Sequence, residues 1–184
     1  MTSRCAWAKD DLNMVYHDDE WGNPQHDDLK LFEFMLLEGA QAGLSWSTIL
    51  KRREGYRKAF SNFDPIKVSK YSSKHVEKLL DNPEIIRNRL KINSAINNAK
   101  QFLKIQNEFG SFDKYVWGFV NNKPINNKFK KHSDLPASSS ISEKMSKDLR
   151  MRGFNFVGPT ICYAFMQAIG MVNDHTYGCF KYKK

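Results

Sequence analysis

The chain has 184 residues, 41% of them hydrophobic and 27% charged, enough for one domain with a real core. No stretch approaches the length of a membrane span, and Arg4, Lys9, Asp10 and Asp11 interrupt any apolar leader, so no membrane association and a cytoplasmic location are expected. The formal charge of +9 is uneven: residues 1–40 hold three basic and nine acidic groups, so the remainder carries +15. Such a surplus favours a polyanionic partner, nucleic acid being the usual one, although solubility alone also accounts for a basic protein.

In chain order, residues 1–25 have no sustained period but carry Trp7, Tyr16, Trp21, Gly22 and Pro24, an aromatic-rich irregular segment or short helices. From Asp27, the spacing of Leu31, Phe34, Met35 and Glu38 predicts a helix weakened at Gly39. Gly43 and Leu44 form a turn, and Ser45 caps a second helix whose inner stripe is Trp46, Ile49, Leu50, the stem of Arg53, and Tyr56. A Pro-containing connection over 62–66 leads to a helix from Ser72 or Ser73, ended by Asp81-Asn82-Pro83. A long helix is predicted over 89–108 with Ile92, Ala95, Ile96, Ala99, Phe102 and Leu103 inward and Gly110 as its stop, and a short one over 111–120. Residues 121–137 are an exposed loop whose lysines either track a phosphate backbone or keep the loop wet. Ser140 and Glu143 have the spacing of a capping box for a helix over 141–151, and Pro159 opens an almost uniformly apolar helix expected to be central. Nothing alternates for long enough to demand a sheet. The fold class is all-α, in a single domain 1–184 compatible with two lobes, 27–120 and 1–26 plus 121–184.

Three constellations carry chemistry. Cys5-x11-His17 and His175-x3-Cys179 pair a thiol with an imidazole near each end of the chain. Each residue alone is as readily a core side chain, but together they suffice as a tetrahedral Zn²⁺ shell. Because that shell is closed, its zinc is structural. The turn from Arg152-Gly153-Phe154 to Gly158-Pro159-Thr160 joins two helices, with Lys144, Lys147 and Arg150 on the first; it is either a phosphate-binding hairpin or an ordinary αα-hairpin with a basic face. Trp7, Tyr16, Trp21 and Trp46 cluster around Glu38 in the first quarter of the chain. A carboxylate among rings either meets a basic side chain in the core or accepts N–H groups of an extruded cationic purine. Leu44, between small residues, is either core or an apolar wedge for DNA.

Four strings, Tyr16–Gly22, Leu37–Trp46, Arg152–Gly158 and Val172–His175, make the chain resemble the DNA-3-methyladenine glycosylase I family of the helix-hairpin-helix superfamily, over essentially its whole length. The resemblance implies a structural zinc held by Cys5, His17, His175 and Cys179. It implies a base pocket in which Glu38 contacts the methylated adenine as the catalytic residue, Tyr16 and Trp46 surround it, and Trp7 and Trp21 stand nearby. Gly43 and Leu44 then lie at the DNA, with Leu44 plugging the duplex, and the segment with Arg152, Gly153, Phe154, Gly158 and Thr160 is the DNA-binding hairpin. Where related glycosylases carry a catalytic aspartate after the hairpin's second helix, this chain has Asn173, and Asp174 beside it is expected to be structural. No lysine occupies the Schiff-base position, so no lyase activity is expected. The activity implied is hydrolysis of the N-glycosidic bond of 3-methyladenine in alkylated duplex DNA by a monomer. The alternatives are a non-enzymatic zinc-stabilised DNA-binding protein and a metal-dependent nuclease or phosphatase; the last needs an open metal position.

Overall fold

The computed structural model describes residues 3–183. Ten helices occur among them: α1 (Asp11–Asp19), α2 (Asp28–Gln41), α3 (Trp46–Leu50), α4 (Arg53–Ala59), α5 (Pro65–Val68), α6 (Ser73–Asp81), α7 (Arg89–Phe109), α8 (Phe112–Gly118), α9 (Ser140–Met151) and α10 (Pro159–Ala168). The expectation of a mostly helical protein is met. Both longer central helices start at side-chain caps: Asp27 accepts from Lys30 N and Asn88 from Lys91 N. Helix α2 is the most enclosed, with ten consecutive residues from Leu31 to Ala40 buried. It packs on α7, α8 and α10, while α10, expected to be central, also lies against α9. The buried apolar residues form one cluster that runs from Cys5 to Cys179, so the first and last segments share a core with the middle.

Four sequence expectations need correction. The helix foreseen from Ser45 through Tyr56 is two, broken at Lys51–Arg52, which re-aims α4 so that Arg53 bonds Glu20 at 2.6 Å and Glu33 at 2.7 Å. In α7 the buried residue after Phe102 is Ile105; Leu103 is half-buried, because a straight helix turns its 3.6-residue stripe past that position. The capping box of α9 uses Ser139 and Ser142, one residue before the expected pair. Finally, β1 (Ile125–Asn126) and β2 (Val172–Asn173) make a two-residue parallel pairing. Two residues are too few to leave a period in the sequence. That pairing ties the exposed loop to the segment that carries His175.

The first segment is anchored to the last by backbone approach. Gly170 has φ +73°, and a Cβ there would lie 2.4 Å from the Asn23 carbonyl carbon, so any side chain would drive the segments apart. Gly22 N donates to Gln167 O and Gln25 N to Ile169 O, both at 3.0 Å, which stitches the chain after Trp21 to the end of α10. No described helix is long and apolar enough to cross a membrane.

Candidate active site and metal cluster

Helix α1 delivers two neighbouring side chains to two sites. Asp10 caps it through Asn13 N, and Asn13 Nδ2 donates to Ser47 Oγ at 2.6 Å, which couples α1 to the helix that bears Trp46. Successive helical residues point about 100° apart, so Tyr16 faces α2 while His17 faces the C-terminal segment.

His17 meets Cys5, His175 and Cys179, all buried, with one ligand atom from each lying within 4.8 Å of the others. Cys179 Sγ is 3.4 Å from His17 Nε2 and 3.6 Å from His175 Nδ1, and Cys5 Sγ is 3.6 Å from the same Nδ1. A tetrahedral shell with metal–sulfur bonds of about 2.3 Å and metal–nitrogen bonds of about 2.0–2.1 Å has sulfur–nitrogen edges of about 3.5–3.6 Å. The donor set and its spacing therefore fit a bound metal ion. The outer partners fix the imidazoles for that role: His17 Nδ1 is 2.8 Å from Asp18 Oδ1, and His175 Nε2 is 3.2 Å from the Trp21 carbonyl. Each ring gives its proton outward and turns a lone pair inward. Burial pushes His175 down to about 4 and, with the same cause, lowers His17, so both rings are neutral at pH 7 and able to ligate. Arg4, 2.6 Å from Asp18, holds that carboxyl down at about 2 and so keeps it an acceptor for His17. Gly22 has φ +76°, and a Cβ on it would be 2.9 Å from His175 Nε2. Only glycine serves at that point.

On the other side of Trp7 and Trp21 lies a cavity of about 190 Å³. The five residues singled out from sequence, Trp7, Tyr16, Trp21, Glu38 and Trp46, all line it. Their rings form a continuous wall: Trp7 to Trp21 is 5.0 Å between centroids and edge-on, Tyr16 to Trp46 is 5.2 Å, and Trp7 to Tyr16 is 6.2 Å. The size suits one flat heterocycle, well below the roughly 300–1,000 Å³ of drug-sized pockets.

Glu38 is buried and makes no hydrogen bond or ion pair with the described residues. Three cations of α2 and α4 are spent elsewhere: Lys30, Arg53 and Arg57 all converge on Glu33, five residues before Glu38 on α2. Burial alone pushes the Glu38 carboxyl up to about 8, and it also raises the Tyr16 phenol well above its ordinary value, with the nearby Glu38 adding to that rise. The indole Nε1 of Trp46 is likewise buried without a partner. A carboxyl without a partner among the described residues, in an aromatic cavity, forms a site that a ligand completes.

Sequence reasoning missed Gln41, His132, Leu135, Ala164 and Gln167, which also line the cavity. Gln41 was within reach, since it lies three residues after Glu38 on one helix face. His132 and Leu135 come from the aperiodic loop, which left no signal.

Leu44 stands on the turn after α2, 39% exposed. Lys91 Nζ holds that turn by donating to Ala40 O at 2.9 Å and Ala42 O at 2.7 Å. The hairpin between α9 and α10 is fixed from α7 and α9. Asn97 Nδ2 donates to Gly153 O, Asn98 Nδ2 to Asn155 O, and Ser146 Oγ to Val157 O, at 2.6–2.8 Å. Two residues assigned to the hairpin's DNA contact are turned inward: Phe154 is buried, and Arg152 bonds Asp148 and Glu108, each at 2.7 Å, over the rings of Phe109 and Tyr115. Thr160 and Gly153 are exposed, Gly158 is half-buried, and Arg150, Lys144 and Lys147 are exposed with no ion pair among the described residues.

Residues 6–182 match the family model described as methyladenine glycosylase. The chain belongs to that family. It is 49% identical over 180 residues to DNA-3-methyladenine glycosylase 1 of Escherichia coli K12, covering 97% of this chain and 96% of that protein. It is 44% identical to the DNA-3-methyladenine glycosylase of Haemophilus influenzae Rd over 97% of each chain. A crystal structure of a 3-methyladenine DNA glycosylase I superposes with a TM-score of 0.95 at 48% identity, over 98% of this chain and 100% of that one. The Staphylococcus aureus enzyme, solved for the structural basis of 3-methyladenine recognition, gives 0.95 at 37% identity over 98% and 97%.

Proposed function

We propose that this chain is a monofunctional DNA glycosylase that hydrolyses the N-glycosidic bond of 3-methyladenine in alkylated duplex DNA, leaving an abasic site. The observation that carries the proposal is Glu38, buried at a cavity of purine size with no partner among the described residues.

Methylation at N3 gives the adenine a positive charge, so its glycosidic bond is already weakened and protonation of the leaving group is unnecessary. The extruded base enters the aromatic cavity, where ring stacking and cation–π attraction favour it over a neutral purine. Its N–H groups donate to Glu38. Burial holds the carboxyl at about 8, largely neutral at pH 7, and the arriving cation draws it to the ionised form, its proton passing to solvent. As the bond from ring nitrogen to C1′ breaks, its electron pair passes to the base, which leaves neutral. Water adds to C1′ and loses a proton to solvent. Catalysis comes from capture and orientation of the base.

The remaining parts serve this step. Leu44 enters the stack vacated by the base, and the α9–α10 hairpin, a helix-hairpin-helix element, grips the phosphate backbone without reading sequence. Cys5, His17, His175 and Cys179 would hold a zinc ion, which would supply folding energy and join the ends of the domain. The protein works as a single-domain monomer in the cytoplasm. A zinc-stabilised DNA binder without activity has no use for an unpaired Glu38.

The test is incubation with methylated duplex DNA and chromatography of the released bases. Free 3-methyladenine and alkali-labile sites are expected, with no strand cleavage by the protein itself. DNA retention with no base release would reduce the protein to a binder.

A further inference from the structure

Gln167, on the last turn of α10, touches both the cavity and the buried polar group behind it. The residue lines the cavity, and its Nε2 donates to Asp174 Oδ2 at 2.8 Å. Asp174 is buried and fully engaged: Tyr163 Oη donates to the same oxygen at 2.7 Å, and Asn127 Nδ2 donates to Oδ1 at 2.7 Å. The amide presents its nitrogen, not its oxygen, to Asp174, whose oxygens serve as acceptors for all three side chains around it. The orientation of Gln167 is thereby fixed, and Oε1 remains with no hydrogen-bond partner among the described residues. The backbone of Gln167 is equally constrained, since its carbonyl accepts from Gly22 N at 3.0 Å beside the Trp21 wall.

We propose that Gln167 is a second base-contacting residue, its Oε1 a locked acceptor, and that Asp174 is the positioning residue that keeps an amide donor from turning into the pocket. The proposal rests on the glycosylase reading above. An adenine presents an exocyclic amine with two N–H groups, one for Glu38 and one for Gln167. A guanine presents a keto oxygen on the same edge, where it meets a lone pair that cannot be exchanged for a donor. Discrimination follows from an unpaired polar group on each side, the kind that binding sites enforce most strongly. Asp174, next to a metal ligand and unable to reach the base, thus acts on specificity through Gln167.

The experiment measures release of 3-methyladenine and 3-methylguanine from the same methylated duplex DNA. Gln167→Met keeps the stem and removes the acceptor. It is expected to lower kcat/KM for 3-methyladenine by about tenfold to a hundredfold, the value of a hydrogen bond to a charged group, and for 3-methylguanine by less than about threefold. Asp174→Asn lets the amide turn over, so the ratio of guanine to adenine lesions released should rise. Thermal melts and affinity for abasic-site DNA identify folding defects in either variant. An equal loss on both bases, or an unchanged ratio in a folded Gln167→Met protein, overturns the assignment. Wild-type protein that releases neither base overturns the glycosylase reading itself, a distinct result.

Discussion

The two sites on either side of Trp7 and Trp21 treat buried polar groups in opposite ways. In the Cys/His cluster, every imidazole has an outward partner and an inward one, and even Asp18 is held by Arg4. At the cavity, Glu38 has none among the described residues, nor has the buried Nε1 of Trp46. They share one wall: Trp21 is 4.8 Å from His175, edge to face, and also lines the cavity. Completed polar burial stabilises a fold, whereas incomplete burial costs stability and is retained where a ligand completes it. The rigid cluster holds the wall against which the incomplete site must keep its shape.

The largest effect should come from the cluster. Cys179→Ser removes one of four donors and is expected to lower unfolding free energy by more than about 3 kcal/mol, given structural zinc affinities of about 10–16 kcal/mol in small domains. Denaturant unfolding with metal analysis checks it, and activity should fall only as the protein unfolds. Purified protein with no stoichiometric metal and an unmoved midpoint would break the comparison.

Glu38 should behave in the reverse sense. Glu38→Ala is expected to lose about a hundredfold or more of excision while non-specific DNA affinity stays within about twofold, since the group acts on the base alone. Glu38→Gln should lose activity yet gain stability, in a pH-dependent manner. The carboxyl titrates at about 8 when folded and near 4.5 when unfolded. Between these values the folded state holds a proton that the unfolded chain has released, so wild-type stability falls as pH rises through that window. The gain from Glu38→Gln is therefore absent near pH 4, grows to the order of 2–4 kcal/mol at pH 8, and levels off above it. A variant no more stable at pH 8 than at pH 5 would mean that Glu38 has a partner in solution.

Leu44 sharpens the comparison at the surface. Being 39% exposed on a turn, it contributes little to the core, and Leu44→Ala should change stability by less than about 1 kcal/mol. Excision from duplex DNA should drop roughly tenfold if the side chain fills the stack, and excision from single strands much less. Equal losses on both substrates would place Leu44 outside the DNA.

How much of this was legible in the sequence follows from what each feature leaves behind. The long helices were legible because α2 and α7 carry apolar residues at helical spacing after an Asp or Asn cap. All four cluster residues were legible too, since thiol and imidazole pairs are rare and their chemistry is narrow. The break between α3 and α4 was not, because it is enforced by Arg53 reaching Glu20 and Glu33 across the fold. His132 and Gln167 were missed for the same reason: a loop and the last turn of an apolar helix reach the cavity only through tertiary packing. Periodicity records which face is buried and is silent about what a polar residue on that face will meet.

The smallest expected effect separates two arginines of the hairpin helix that sequence alone cannot distinguish. Arg152 is committed to Glu108, Asp148 and two aromatic rings, whereas Arg150 is exposed without an ion pair among the described residues. Arg152→Ala should therefore cost about 1 kcal/mol of stability and leave the salt dependence of DNA binding unchanged. Arg150→Ala should leave stability unchanged and reduce the slope of log K against log salt by about one phosphate contact. If Arg152→Ala reduces that slope instead, its carboxylate partners must release it on DNA, and the hairpin would share with the cavity the habit of completing its polar groups only when the substrate arrives.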